Sequence, residues 1–169
     1  AYNQDMGVVS TYSPKDTYSG KELDPEVNNA EIADLVHYLH TLKAPIQRNA
    51  DVVEVKEGKA LFIKIQCGNC HTPIMKTGNS TIQGLSNKTF AAYTDLLMHD
   101  MGKALDDNYT EGSAKTYEWR TTPLWGLGLS KDSQGGKIHL LHDGRAKSID
   151  EAIVLHGGEA QKSRLQYSA

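Results

Sequence analysis

The chain has 169 residues and a formal net charge of -3, with 23% charged and 38% hydrophobic residues. That length holds one domain, or one domain plus part of another, and so mild a negative charge excludes the basic footprint of a nucleic-acid-binding protein. No apolar run reaches the length of a membrane-spanning helix. The sequence opens Ala1-Tyr2-Asn3, with neither an initiator methionine nor a signal-like apolar run, which predicts that a leader has been removed.

Residues 1 to 27 are rich in Asp, Ser, Tyr, Gly and Pro, lack a helical or strand period, and read as irregular structure. Asn28 and Asn29 then offer a helix N-cap. Ile32, Leu35, Val36, Leu39 and Leu42 recur on one helical face that ends before Pro45. His37 and His40 share this helix three positions apart, where a half-exposed face accounts for them better than a shared metal. Residues 46 to 53 read as a connector. A second helix follows, with Val55, Leu61, Phe62 and Ile65 as its apolar face.

That helix leads into Cys67-Gly68-Asn69-Cys70-His71-Thr72-Pro73. Cys-x-x-Cys-His is the attachment signature of a c-type haem. Two thiols at this spacing can each close a thioether to one porphyrin, and the adjacent imidazole can ligate its iron. A dithiol redox pair competes with this reading, but such a motif follows a strand and opens a helix, whereas a helix is predicted to end here. A structural zinc site competes as well. It needs four ligands, and Cys67 and Cys70 are the only cysteines in the chain.

The group opposite His71 decides between an electron carrier and an open, reactive iron. Met75 lies too close to His71 in the chain, and Met98 continues an apolar run that predicts core. Met101 is thirty residues beyond His71 and is followed by Gly102, so it is the favoured sixth ligand, with His99 its main rival. Residues 106 to 116 read as a polar loop. Glu118 to Gly128 combines Trp119, Trp125, Pro123 and glycines, as expected where chain packs flat against a haem or in ordinary core. Arg120 could pair with a propionate.

Lys131 to Lys137 reads as the turn of a short hairpin into Ile138 to Leu141. His142 to Arg145 reads as a tight turn that uses Gly144. Ser148 and Glu151 form a capping box for a helix through Ala152, Ile153 and Leu155, stopped at Gly157 and Gly158. A last helical segment is expected from Glu159. His139, His142 and His156 are further candidate ligands or proton donors, and each alone is commonly a hydrogen-bonded structural residue.

Taken in order, Gly58 to Pro73, Tyr93 to Gly102, Glu118 to Gly128, Leu141 to Ala146 and Glu151 to Ala160 resemble the C-terminal half of the bacterial di-haem oxidoreductases. These are also catalogued as predicted thiol oxidoreductases, and the sequence is more distantly similar to di-haem cytochrome c peroxidases. The opening Asp5-Met6-Gly7 looks like family sequence too. The resemblance implies a mainly α, cytochrome c-like haem domain with long loops, leaving room for a short β-hairpin. Met101 matches the methionine that ligates the electron-transferring haem of the related peroxidases. Only one Cys-x-x-Cys-His is present.

The expected organisation is therefore two parts. Residues 1–50 form an irregular segment plus the terminal helix of a preceding, truncated cytochrome c-like domain, and residues 51–169 form the c-type cytochrome domain. The expected cofactor is one haem c, attached at Cys67 and Cys70 and ligated by His71 and Met101, with Arg120, Pro123, Trp125, His142 and Arg145 around it. The expected role is electron transfer in a peroxidase-like oxidoreductase outside the cytoplasm, in the bacterial periplasm. Its partner would be a redox protein or a second haem domain. The competing reading is a catalytic haem with an open iron, served by His142, Arg145 or Glu159, and a zinc-bound interaction module is a weaker third.

Overall fold

The computed structural model describes residues 3, 6–110 and 112–169. Asp5 and Glu111 lie outside the described residues. The chain divides into two compact units, residues 1–43 with 79–86, and residues 44–78 with 87–169.

In the first unit the expected irregular segment is held by local polar contacts. The Glu26 carboxylate accepts from the Val9 amide at 2.9 Å, and Val9 is buried. Helix α1, Asn29–Thr41, starts where expected: the Asn28 side chain accepts from the Ala30 and Glu31 amides, and the Glu31 carboxylate accepts from the Asn28 amide. This reciprocal arrangement satisfies donors that a helix start leaves orphaned. No residue of α1 is buried, and Leu39 is 53% exposed. The amphipathic stripe was legible; burial did not follow from it.

The second unit begins with α2, Val53–Lys64, which ends in the left-handed residue Gln66 and delivers the turn Cys67–Asn69. Two small antiparallel pairs follow. Strand β1, Ile74–Lys76, pairs with β2, Thr89–Ala91, with Met75 opposite Phe90. Strand β3, Met98–Asp100, pairs with β4, Glu118–Arg120, with His99 opposite Trp119. Three short helices close the chain: α3, Ser130–Ser133; α4, Ile149–Val154; and α5, Gln161–Tyr167.

These elements correct the mainly α, cytochrome c-like expectation. The chain is 36% helical and 11% strand, and its α-helices are short, with two small sheets. Long stretches between helices are instead fixed by two-strand pairings and side-chain contacts. The hairpin expected at Lys131 to Leu141 is also absent. Ser130–Ser133 turns helical, and Gly135 and Gly136, both at positive φ, terminate it with the Gly136 amide donating to the Lys131 carbonyl. Glycine that could have made a strand turn serves here as a helix stop. The backbone bridge that does form, Leu140 to Ala146, spans the predicted tight turn at Gly144.

The capping box at α4 is half-formed. Ser148 Oγ accepts from the Glu151 amide, while the Glu151 carboxylate accepts from Lys147 rather than from Ser148. Met98, expected in the core, is 47% exposed in β3. Among the described residues the buried apolar set is small: Val9, Ile65, Ala92, Leu105, Ala146 and Ala152.

Candidate functional site

The Cys67–His71 loop is pinned from two directions. Behind it, Ile65 is buried at the end of α2, and the amides of Cys70 and His71 both donate to the Cys67 carbonyl. In front, Ala92 donates to the Pro73 carbonyl and Thr94 to the Thr72 carbonyl, so the segment 92–94 runs alongside the loop. The buried Thr94 hydroxyl then donates to the Thr121 carbonyl at 2.7 Å, tying this strap to the chain after β4. Tyr93, between the two buried residues, is held at φ 50. A bulky residue in the left-handed region is costly and marks an overdetermined segment.

What this strain achieves is visible at His71. The Tyr93 carbonyl lies 3.1 Å from His71 Nδ1. A carbonyl can only accept, so Nδ1 carries the proton and Nε2 keeps its lone pair. Burial holds the imidazole below its usual pKa, against the Tyr93 carbonyl that favours protonation. His71 is therefore a neutral imidazole with a fixed tautomer, the form that ligates metal.

A second imidazole also has its Nδ1 on a backbone carbonyl. His156 Nδ1 lies 2.6 Å from the Ala152 carbonyl at the end of α4, and its ring centre is 6.4 Å from that of His71. The sequence offers His156 as one of three further candidate ligands or proton donors, with nothing to separate it from His139 and His142. The signal that could have singled it out is its place just past the end of a capped helix, directly before Gly157-Gly158.

Met101 and His99 fare differently. The Met101 backbone is fixed at both ends: its amide donates to the Tyr117 carbonyl, and its own carbonyl sits 2.8 Å from where a Gly157 Cβ would be. This packing puts the Met101–Gly102 backbone directly against the Gly157–Gly158 turn. His99 has both nitrogens engaged, Nε2 with Asp95 at 2.8 Å and Nδ1 with Glu159 at 2.9 Å. Two carboxylate acceptors require two N–H donors, so His99 is an imidazolium with its pKa raised, chiefly by Glu159. It has no free lone pair to offer a metal.

The surroundings of the two thiols disfavour the thiolate. Burial pushes both Cys67 and Cys70 above the usual thiol pKa, and Asp95 and Glu159 push Cys70 further. A dithiol oxidoreductase depends on the opposite shift. Cys70, Asp95 and His99 offer ligand atoms within 4.8 Å of one another, but a metal there would have to break the His99 clamp.

The remaining predicted pocket residues are spread over the second unit. Trp125 donates from Nε1 to the Ala91 carbonyl at 2.7 Å and lines a cleft with Phe62 and Tyr93. Arg120 and His142 line another cleft, where His142 stacks on Trp119 with ring centres 3.2 Å apart. Arg145 is tied to Asp143 and to the Ala104 carbonyl. Pro123 is half-buried. His37 and His40 lie on α1, in the other unit.

Compared with known families, residues 4–169 match a family model described as "Di-haem oxidoreductase, putative peroxidase". No curated protein and no solved structure matches the chain.

Proposed function

Because the chain belongs to the di-haem oxidoreductase family, we propose that it is a haem-bearing, electron-transferring part of such an oxidoreductase, with one haem held covalently by Cys67 and Cys70 and its iron by His71. The observation that carries this reading is the Tyr93 carbonyl at His71 Nδ1, which leaves Nε2 as the ligating atom one residue after the second thiol. The donor set fits the group: two half-buried thiols with no disulfide partner, a neutral imidazole, and few fully buried apolar side chains for a large flat apolar cofactor to join. Haem, when bound, supplies a one-electron couple.

As the second residue that would hold the iron, His156 is favoured by the ring spacing over the sequence-favoured Met101. Metal–nitrogen bonds of about 2 Å place two imidazole centres on one metal roughly 6 Å apart, and the His71 and His156 rings stand at 6.4 Å. Met101 would then act through its backbone, holding the Gly157–Gly158 turn that follows His156. His99 stays with its carboxylates. The same reading puts the chain outside the cytoplasm, in the bacterial periplasm, with a second haem or a redox protein at the other end of the transfer. Among the described residues, no helix is long and apolar enough to cross a membrane.

Visible absorption of the purified chain, oxidised and reduced, with carbon monoxide added to the reduced form, tests this directly. The expected result is a denaturation-resistant c-type spectrum of bis-imidazole character that does not respond to carbon monoxide. His156→Ala should open the iron to carbon monoxide, and Met101→Leu should leave the spectrum unchanged. A methionine-to-iron charge-transfer band lost in Met101→Leu would restore the sequence-based ligand. Carbon monoxide binding by the unaltered chain would return an open iron, as a peroxidase requires.

A further inference from the structure

Phe62, Tyr93, Leu124 and Trp125 line a cleft of roughly 500 Å³ in the second unit, a volume within the range of small-molecule sites. Its aromatic walls are fixed. Phe62 and Tyr93 meet edge to face with centres 5.8 Å apart, and Trp125 is held by its bond to Ala91 and by an edge contact with Phe90. With Nε1 already donated, the indole has only its ring to offer a ligand. Trp125 is nevertheless 38% exposed.

The charge of this cleft is the second observation. The chain carries 21 acidic residues against 18 basic ones, yet none of the acidic residues lines the cleft, whereas Arg48 and Lys59 both do. Neither cation is in an ion pair among the described residues; the ion pairs there use Lys56, His99 and Arg145. Arg48 is also positioned by the chain, because its guanidinium packs over Gly128, 2.9 Å from where a Cβ would be. Two unpartnered cations at an aromatic-walled cleft in an otherwise acidic chain are complementary to an apolar anion.

We propose that this cleft binds an aromatic carboxylate of two or three rings, its rings against Trp125, Phe62 and Tyr93 and its carboxylate on Arg48 and Lys59. Arg48 supplies the forked, charge-assisted contact that suits a carboxylate, and Lys59 a second point charge. The aromatic walls supply stacking and apolar burial. Cys67, Cys70 and His71 are not among the lining residues, although Tyr93 turns its ring to the cleft lining and its carbonyl to His71.

Isothermal titration calorimetry of the haem-loaded chain with 2-naphthoate, and with the neutral 2-naphthalenemethanol, tests the assignment. Naphthoate is expected to bind one per chain, about tenfold more tightly than the alcohol, the ratio that one charge-assisted contact provides. Arg48→Gln should remove most of that difference and Lys59→Gln part of it, while neither alters the weaker binding of the alcohol. Both are exposed positions, so an unchanged far-ultraviolet circular dichroism spectrum confirms that fold is not the cause. Equal affinity for acid and alcohol, no loss of naphthoate binding in the two variants, or no saturable heat from naphthoate would each overturn the proposal.

Discussion

His99 shows how two acceptors set the state of a single residue. Glu159 and Asp95 raise its pKa above the ordinary 6.5. Glu159 is lowered from 4.5, chiefly by His99. Asp95 is pushed up by burial, but the Leu97 amide and His99 outweigh this and leave it below 3.8. A raised histidine contributes stability that is fully present below 6.5 and lost as pH rises through the folded value. Depressed carboxylates contribute stability present above about 4.5 and lost as pH falls through theirs. The clamp is therefore strongest between those limits. His99→Gln should cost about 2 kcal/mol near pH 5.5, by urea unfolding, with the difference from wild type shrinking towards alkaline pH. A cost that is constant with pH would show that His99 acts by packing alone.

Strand β3 and the turn after α4 meet partly through backbone. Gly158, at φ 49, lies so close to β3 that an added Cβ would overlap the Asp100 carbonyl, and Gly102 faces Gly158 with only 2.7 Å between its missing Cβ and the Gly158 nitrogen. Both obstacles are main-chain atoms and cannot swing away. Gly158→Ala should therefore destabilise the chain by more than about 3 kcal/mol, combining clash with left-handed strain. In the haem-loaded protein it should also weaken ligation by His156, two residues away, and so admit carbon monoxide. Thermal unfolding and the reduced spectrum check the two effects separately. Retained stability would mean that the β3–Gly158 approach is looser than described.

At the scale of the whole molecule, the buried apolar set among the described residues is small, so a haem held as proposed would add to the core of the second unit. A group bound only by the folded chain stabilises that state, and thioethers to Cys67 and Cys70 would keep it in place through unfolding and refolding. The Cys67→Ala/Cys70→Ala double variant, produced without haem, should melt at least about 10 °C below the haem-loaded chain, given the 2–4 °C per kcal/mol typical of this size. Calorimetry or circular dichroism measures this. Equal melting temperatures would show that the second unit is complete on its own residues.

Short-range chemistry was determined by the sequence alone. The Cys67–His71 spacing, the helix that delivers it, the Asn28 cap and the Gly144 turn each depend on residues within one or two turns of chain, and family membership followed from their order. What the sequence left open or got wrong depended on long-range contacts. The mainly α expectation came from the family resemblance and overlooked pairings of three-residue strands, and Gly135-Gly136 reads equally well as a strand turn or a helix stop. His99, the rival of Met101 in the sequence, meets Glu159, sixty residues away, at its second nitrogen only in the folded chain. His156, one of three further candidate ligands, has its ring centre 6.4 Å from that of His71 only through the fold. Only the tertiary structure decides which lone pairs remain free, because hydrogen-bond partners are chosen by proximity in space.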